Sequence, residues 1–169
     1  KKQKKMLTHL SLRNSQMGDD CFTEIGQALP ECLQLFHICF SGCCLTDKSL
    51  AHVTALLRDK QERISSNEWK NSLRNGATGL GPREKLNGFK LAGDAFEEDE
   101  EFDIKPVSLD LSNNFLCDHG AMTLSKFIGT MIRALDLSYN LLGSRGVNIL
   151  LEAVTTQKES LVRKDGTKR

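Results

Sequence analysis

The 169 residues carry 23 basic and 22 acidic side chains, enough chain for one domain with a core and no net field to draw it to nucleic acid or a membrane surface. Six cysteines at irregular spacing, with no signal peptide before them, read as free thiols in a reducing compartment. No apolar run approaches the roughly 20 residues of a membrane span, and the start on lysines rather than Met reads as a fragment of a longer protein.

In chain order, the first predicted element is a strand and turn in "LTHLSLRNSQM". Leucine-like residues stand at slots one, four, six and eleven (Leu7, Leu10, Leu12, Met17), and a small polar residue, Ser15, stands at slot nine. Gly18 and Asp19 turn the chain, and Phe22, Ile25 and Leu29 then carry helical spacing. The template returns about 28 residues later in "LFHICFSGCCL", with Leu35, Ile38, Phe40, Cys43 and Leu45. Thr46 is placed to cap a helix bearing Leu50, Val53 and Leu57.

An insertion of about 43 residues follows, counted against one repeat length. Residues 49–74 hold no Pro or Gly and keep sparse apolar positions at Ile64, Trp69 and Leu73, so they read as one long polar helix or two broken near Ser65 and Ser66. Residues 76–104 are broken by Gly and Pro and end in "EEDEEFD", which predicts a flexible linker or an acidic peptide for a basic partner. The template resumes in "PVSLDLSNNFL", where Pro106 fits slot one poorly and Leu109, Leu111, Asn114 and Leu116 fit theirs. It closes in "IRALDLSYNLL", with Ile132, Leu135, Leu137, Asn140 and Leu142. Helical spacing follows both, through Leu124 and Ile128 and through Leu150, Leu151 and Val154.

Four matches to one template are the leucine-rich repeat pattern. The expected fold is α/β: a leucine-rich repeat solenoid of the ribonuclease-inhibitor subtype, with parallel strands on the concave face, helices on the convex face and a helical and acidic insertion. The expected divisions are repeats one and two at 1–58, the extended helix at 59–75, the linker at 76–104, repeats three and four at 105–157 and a polar cap or tail at 158–169. Slot nine points inward to satisfy backbone at the turn, so Ser15, Cys43, Asn114 and Asn140 form a structural ladder. That makes Cys43 a small buried hydrophobe. The metal alternative would draw on His37, Cys39, Cys44 and His52, whose spacing matches no pair of zinc knuckles. No metal or cofactor is expected.

Beyond the general pattern, "LTHLSLRNSQMGDD" and "FSGCCLT", followed by Gln61, Arg63, Trp69, Ser72, Leu73 and Arg74, resemble the 78-kilodalton centrosomal protein family. "IRALDLS" and "LLEAV" resemble its later repeat, while Gln61 and Arg63 stand one residue closer together than in that family. The resemblance covers roughly residues 7–74 and 107–154. It implies a non-enzymatic protein of centrosomes, centrioles, basal bodies or cilia, in the cytoplasm on the cytoskeleton.

In each strand the leucines face the core and the residues between them face the concave side. Stacking aligns His9, His37, Ser108 and Ala134, then Ser11, Cys39, Asp110 and Asp136, then Arg13, Ser41, Ser112 and Ser138. Solenoids bind partners on this surface, so the candidate partner-binding residues are His9, Arg13, His37, Trp69, Arg74, Asp110 and Asp136. The expected role is a protein-interaction scaffold in a large assembly of other proteins, without small-molecule substrate, specific nucleic acid or membrane span. The alternative is a leucine-rich adaptor or sensor, either a substrate reader for a ubiquitin ligase or an innate-immunity-type receptor. A hydrolase has no phosphate loop, Gly-x-Ser-x-Gly or His-Glu-x-x-His to support it.

Overall fold

The structure is a computed structural model, and it describes residues 7–74 and 104–166. It is a mixed α/β fold. Strands β1 (His9–Ser11), β2 (His37–Cys39), β3 (Val107–Asp110) and β4 (Ile132–Asp136) form one parallel sheet in chain order. Helices α1 (Gly18–Gly26), α2 (Leu50–Arg74), α3 (Asp118–Ser125) and α4 (Ser144–Gly166) follow the strands in turn. β3 pairs with β2 despite the long insertion between them.

The alternation of β3 shows why the sheet has two faces. Val107 and Leu109 are buried while Ser108 and Asp110 are only partly so. The buried side joins Ile38, Phe40, Leu109 and Leu111 to Phe22 of α1 and Leu124 of α3, with the Phe22 and Phe40 rings edge to face at 4.9 Å. Leu10 and Leu12 at one end, and Leu135 and Leu137 at the other, are only partly buried. Interior strands have a neighbour on each side; end strands have one. Slot one of the third segment departs from simple counting. Val107, not Pro106, pairs with Ile132, and the register shifts before Ser108 meets Ala134.

Every segment turns at slot eight with positive φ: Asn14 at 59°, Gly42 at 67°, Asn113 at 54° and Tyr139 at 56°. Asn and Gly adopt this region at little cost. Gly42 has a second reason, since a Cβ there would lie 2.3 Å from Asn14 Oδ1.

α2 runs unbroken through Ser65 and Ser66, so the insertion begins as one helix of 25 residues. Its first turns bury Leu50, Val53, Leu56, Leu57 and Lys60. Lys60 donates its ammonium to the carbonyls of Leu33 (3.1 Å) and Leu35, and burial pushes its pKa down to about 8. The linker expected at 76–104 lies outside the described residues up to Asp103, and so do the side chains expected to cap the chain from Lys158 on, although the backbone stays helical to Gly166. Among the described residues, no helix is long and apolar enough to cross a membrane.

Candidate protein-interaction face

The polar face of the sheet gathers most of the candidate residues. The register sets His9 opposite His37, His37 opposite Ser108, and Ser108 opposite Ala134. In the next row, Ser11, Cys39, Asp110 and Asp136 are successive partners. At the His end, the His9 ring meets Phe36 at 4.6 Å and His37 at 5.7 Å. At the other end Arg13, Ser41, Asp110, Ser112, Asp136 and Tyr139 line an open groove of about 470 Å³.

Asp110 is the most heavily bonded group on this face. Its Oδ1 accepts the Ser112 amide (3.0 Å) and hydroxyl (2.6 Å); its Oδ2 accepts Arg13 (2.9 Å) and the Cys39 thiol (3.2 Å). Partial burial works to raise its pKa, but the Ser112, Cys39 and Arg13 bonds outweigh it and hold the carboxyl at about 2. Arg13 crosses β2 to make its bond, so the first segment is tied directly to the third. Asp136 carries the same local clamp, with Ser138 amide and hydroxyl at 2.9 and 2.7 Å from Oδ1. The groove is thus polar and charged.

Trp69 stands 66% exposed on the outer half of α2 and is not part of the groove lining. Arg74 ends α2, and its side chain lies outside what is described.

Behind the face run two hydrogen-bonded ladders. In the slot-nine ladder, Asn114 Oδ1 accepts the amides of Cys43 and Leu45, and Nδ2 donates to the carbonyls of Phe40, Leu111 and Ser112. Asn140 repeats this with the Leu116 amide and the carbonyls of Leu111, Leu137 and Ser138. Cys43 is fully buried; its thiol donates to Leu12 O at 3.0 Å and lies 3.3 Å from Ser15 Oγ. Cys39 is engaged with Asp110, and His52 packs on Phe22. Among the described residues no three His, Cys, Asp or Glu side chains gather as a metal site.

Counting leucines misses the second ladder, at slot thirteen. Asp19 accepts the Thr46 amide, Asp47 the Cys117 amide and Asp118 the Gly143 amide, each reaching the next segment. Its signal is an acid two residues past slot eleven in "MGD", "LTD" and "LCD", replaced by Ser144 in the last segment. Gly120 belongs to this ladder: a Cβ there would stand 2.4 Å from Asp47 Oδ1.

The comparisons with known proteins point one way. No family model matches the chain. It is similar to the centrosomal protein of 78 kDa of Mus musculus, 28% identical over 158 residues that make up 92% of this chain and 18% of that protein. It is similar also to the Homo sapiens centrosomal protein of 78 kDa, 31% identical over 145 residues, 79% of this chain and 21% of that one. The chain therefore spans about a fifth of the length of these relatives.

Proposed function

We propose that this chain is a non-enzymatic interaction scaffold of the centrosome, related to the 78-kDa centrosomal proteins. In this reading its four segments are leucine-rich repeats of a solenoid, and the polar sheet face holds another protein of a large assembly. The observation that carries it is the extent of the likeness: 92% of the chain aligns with the mouse centrosomal protein. The face supports it too, since a four-stranded parallel sheet leaves one side free of core packing, with a groove lined by Arg13, Asp110 and Asp136. Finer placement at the centriole, basal body or ciliary axoneme belongs to the same proposal.

The test is localisation of the tagged full chain in cultured cells against a pericentriolar marker. A focus coincident with the marker through the cell cycle is expected, with proximity labelling recovering other centrosomal proteins. Uniform cytoplasmic signal, or a focus elsewhere, would count against the reading.

A further inference from the structure

The groove holds two carboxylates in the same slot of adjacent segments, and one of them is already occupied. Asp110 gives Oδ1 to Ser112 and presents Oδ2 to the Arg13 guanidinium at 2.9 Å. Asp136 gives Oδ1 to Ser138 in the same way, and among the described residues no side chain bonds its Oδ2. The arginine that serves Asp110 comes from slot seven, two segments earlier. The equivalent residue for Asp136 is Ser41, whose hydroxyl reaches no further than Ser112 at 2.9 Å on the next segment. The space above β3 therefore stays open where the space above β2 is crossed by Arg13.

Beside that space stands Tyr139. It is 86% exposed and takes φ of 56°, where the other three segments place Asn14, Gly42 and Asn113. A bulky aromatic in the left-handed region carries a backbone cost that those residues avoid. Tyr139 and Asp136 line the same groove, and a carboxylate and an exposed aromatic residue in one groove are the pair of groups a guanidinium binds.

We propose that Asp136 is the receptor for an arginine side chain of a partner protein, its guanidinium bonding Oδ2 as Arg13 bonds Asp110 and stacking on Tyr139. The proposal deepens the scaffold reading and rests on it for the partner being a protein. A planar guanidinium suits the site better than an ammonium, because it bonds the carboxylate edge and stacks on the ring at once. The open shape of the groove fits an extended peptide segment carrying that arginine.

The experiment is an amide NMR titration of the full 169-residue chain with an end-capped, otherwise uncharged heptapeptide bearing one central arginine, and with the same peptide bearing citrulline. The arginine peptide should shift Asp136, Ser138 and Tyr139. Citrulline, or Asp136→Asn, should weaken binding by about ten- to a hundredfold, the effect of removing one charged hydrogen-bond partner. Ser41→Arg supplies the missing internal cation and should abolish binding, with changes in the spectrum of the free variant confined to Ser41, Ser112 and their groove neighbours. Tyr139→Asn, suited to the turn, should keep the fold and weaken binding by about two- to fivefold. Equal affinity for both peptides, wild-type affinity in Asp136→Asn, or no binding to the wild-type chain would each overturn the proposal. A chain that reaches the centrosome yet binds neither peptide removes the arginine site and leaves the scaffold reading standing; a chain absent from the centrosome that binds through Asp136 does the reverse.

Discussion

The junction between the second and third segments is closed by an amide, and the junction between the first and second by a thiol. Asn114 accepts two buried amides and donates to three carbonyls, so one side chain serves the turns of both segments. Cys43 at the same slot donates to Leu12 O and Ser41 O but supplies no acceptor to the amides of Ser15 and Met17, which correspond to those of Cys43 and Leu45. Burial follows the same order. Ile38, Phe40, Leu109 and Leu111 are at most 1% exposed, while Leu10 and Leu12 are only partly buried. The stronger junction is the one the insertion interrupts in sequence. Loop-closure cost grows slowly with loop length, so complementary groups meeting in space can set the pairing across a long excursion.

The largest expected effect breaks the stronger junction. Asn114→Ala removes the acceptor of two buried amides and the donor to the Phe40 and Leu111 carbonyls. With about 1–3 kcal/mol for each polar group left unsatisfied and some relaxation, the loss should be about 3–5 kcal/mol. It is read as a lower urea midpoint at unchanged slope. A loss under about 1 kcal/mol would mean that the amide does not hold the junction.

The second effect tests what compensates the weaker junction. Arg13 and Cys39 both bond Asp110, so the first two segments are tied to the third across the polar face. The folded carboxyl sits at about 2, below the roughly 3.9 of an unfolded Asp. Its contribution is therefore complete above about pH 4 and is lost as pH falls from about 4 towards about 2. Asp110→Asn should cost about 1 kcal/mol at neutral pH, less than the full shift implies because the Arg13 partner is solvent-exposed, and flatten the acid limb of stability against pH. Hydrogen exchange should rise more in residues 9–12 than in residues 107–111. Parallel acid limbs in wild type and variant would show that the tie contributes nothing.

These contrasts mark what the sequence makes legible. Counting the eleven-residue template aligned the rows of the sheet, because parallel strands pair one residue to one and each segment turns at the same slot. It failed at Pro106, where a ring without a donor cannot anchor the strand and Val107 does so through a local register shift. The slot-thirteen acids escaped a search for leucines although their spacing is regular. Lys60 could not be read at all. A lysine on a charged helix looks solvent-facing, and only the fold brings the Leu33 and Leu35 carbonyls to it. The Arg13–Asp110 pair spans two segments, and no slot count says how far a side chain leans across a strand.

The smallest effects rebuild the weaker junction. Cys43→Ser keeps a donor but swaps a buried sulfur for a more polar, smaller group, and should cost about 1–2 kcal/mol. Cys43→Asn transplants the group found in the second junction. Its oxygen is placed to accept the Ser15 and Met17 amides, and its NH2 to donate to the Leu12 carbonyl that the thiol now uses. Gly42, with its φ of 67° beside this position, already gives the turn that Asn113 gives to Asn114. The expected outcome is a gain of up to about 1 kcal/mol in urea denaturation, the net worth of one buried hydrogen bond. An order of stability Asn, Cys, Ser would mean that hydrogen-bonding capacity separates the junctions. An order Cys, Ser, Asn would mean that the first junction is too tight for an amide. The thiol would then stand there for its volume, and the looser packing of Leu10 and Leu12 would follow from the end of the sheet rather than from the rung.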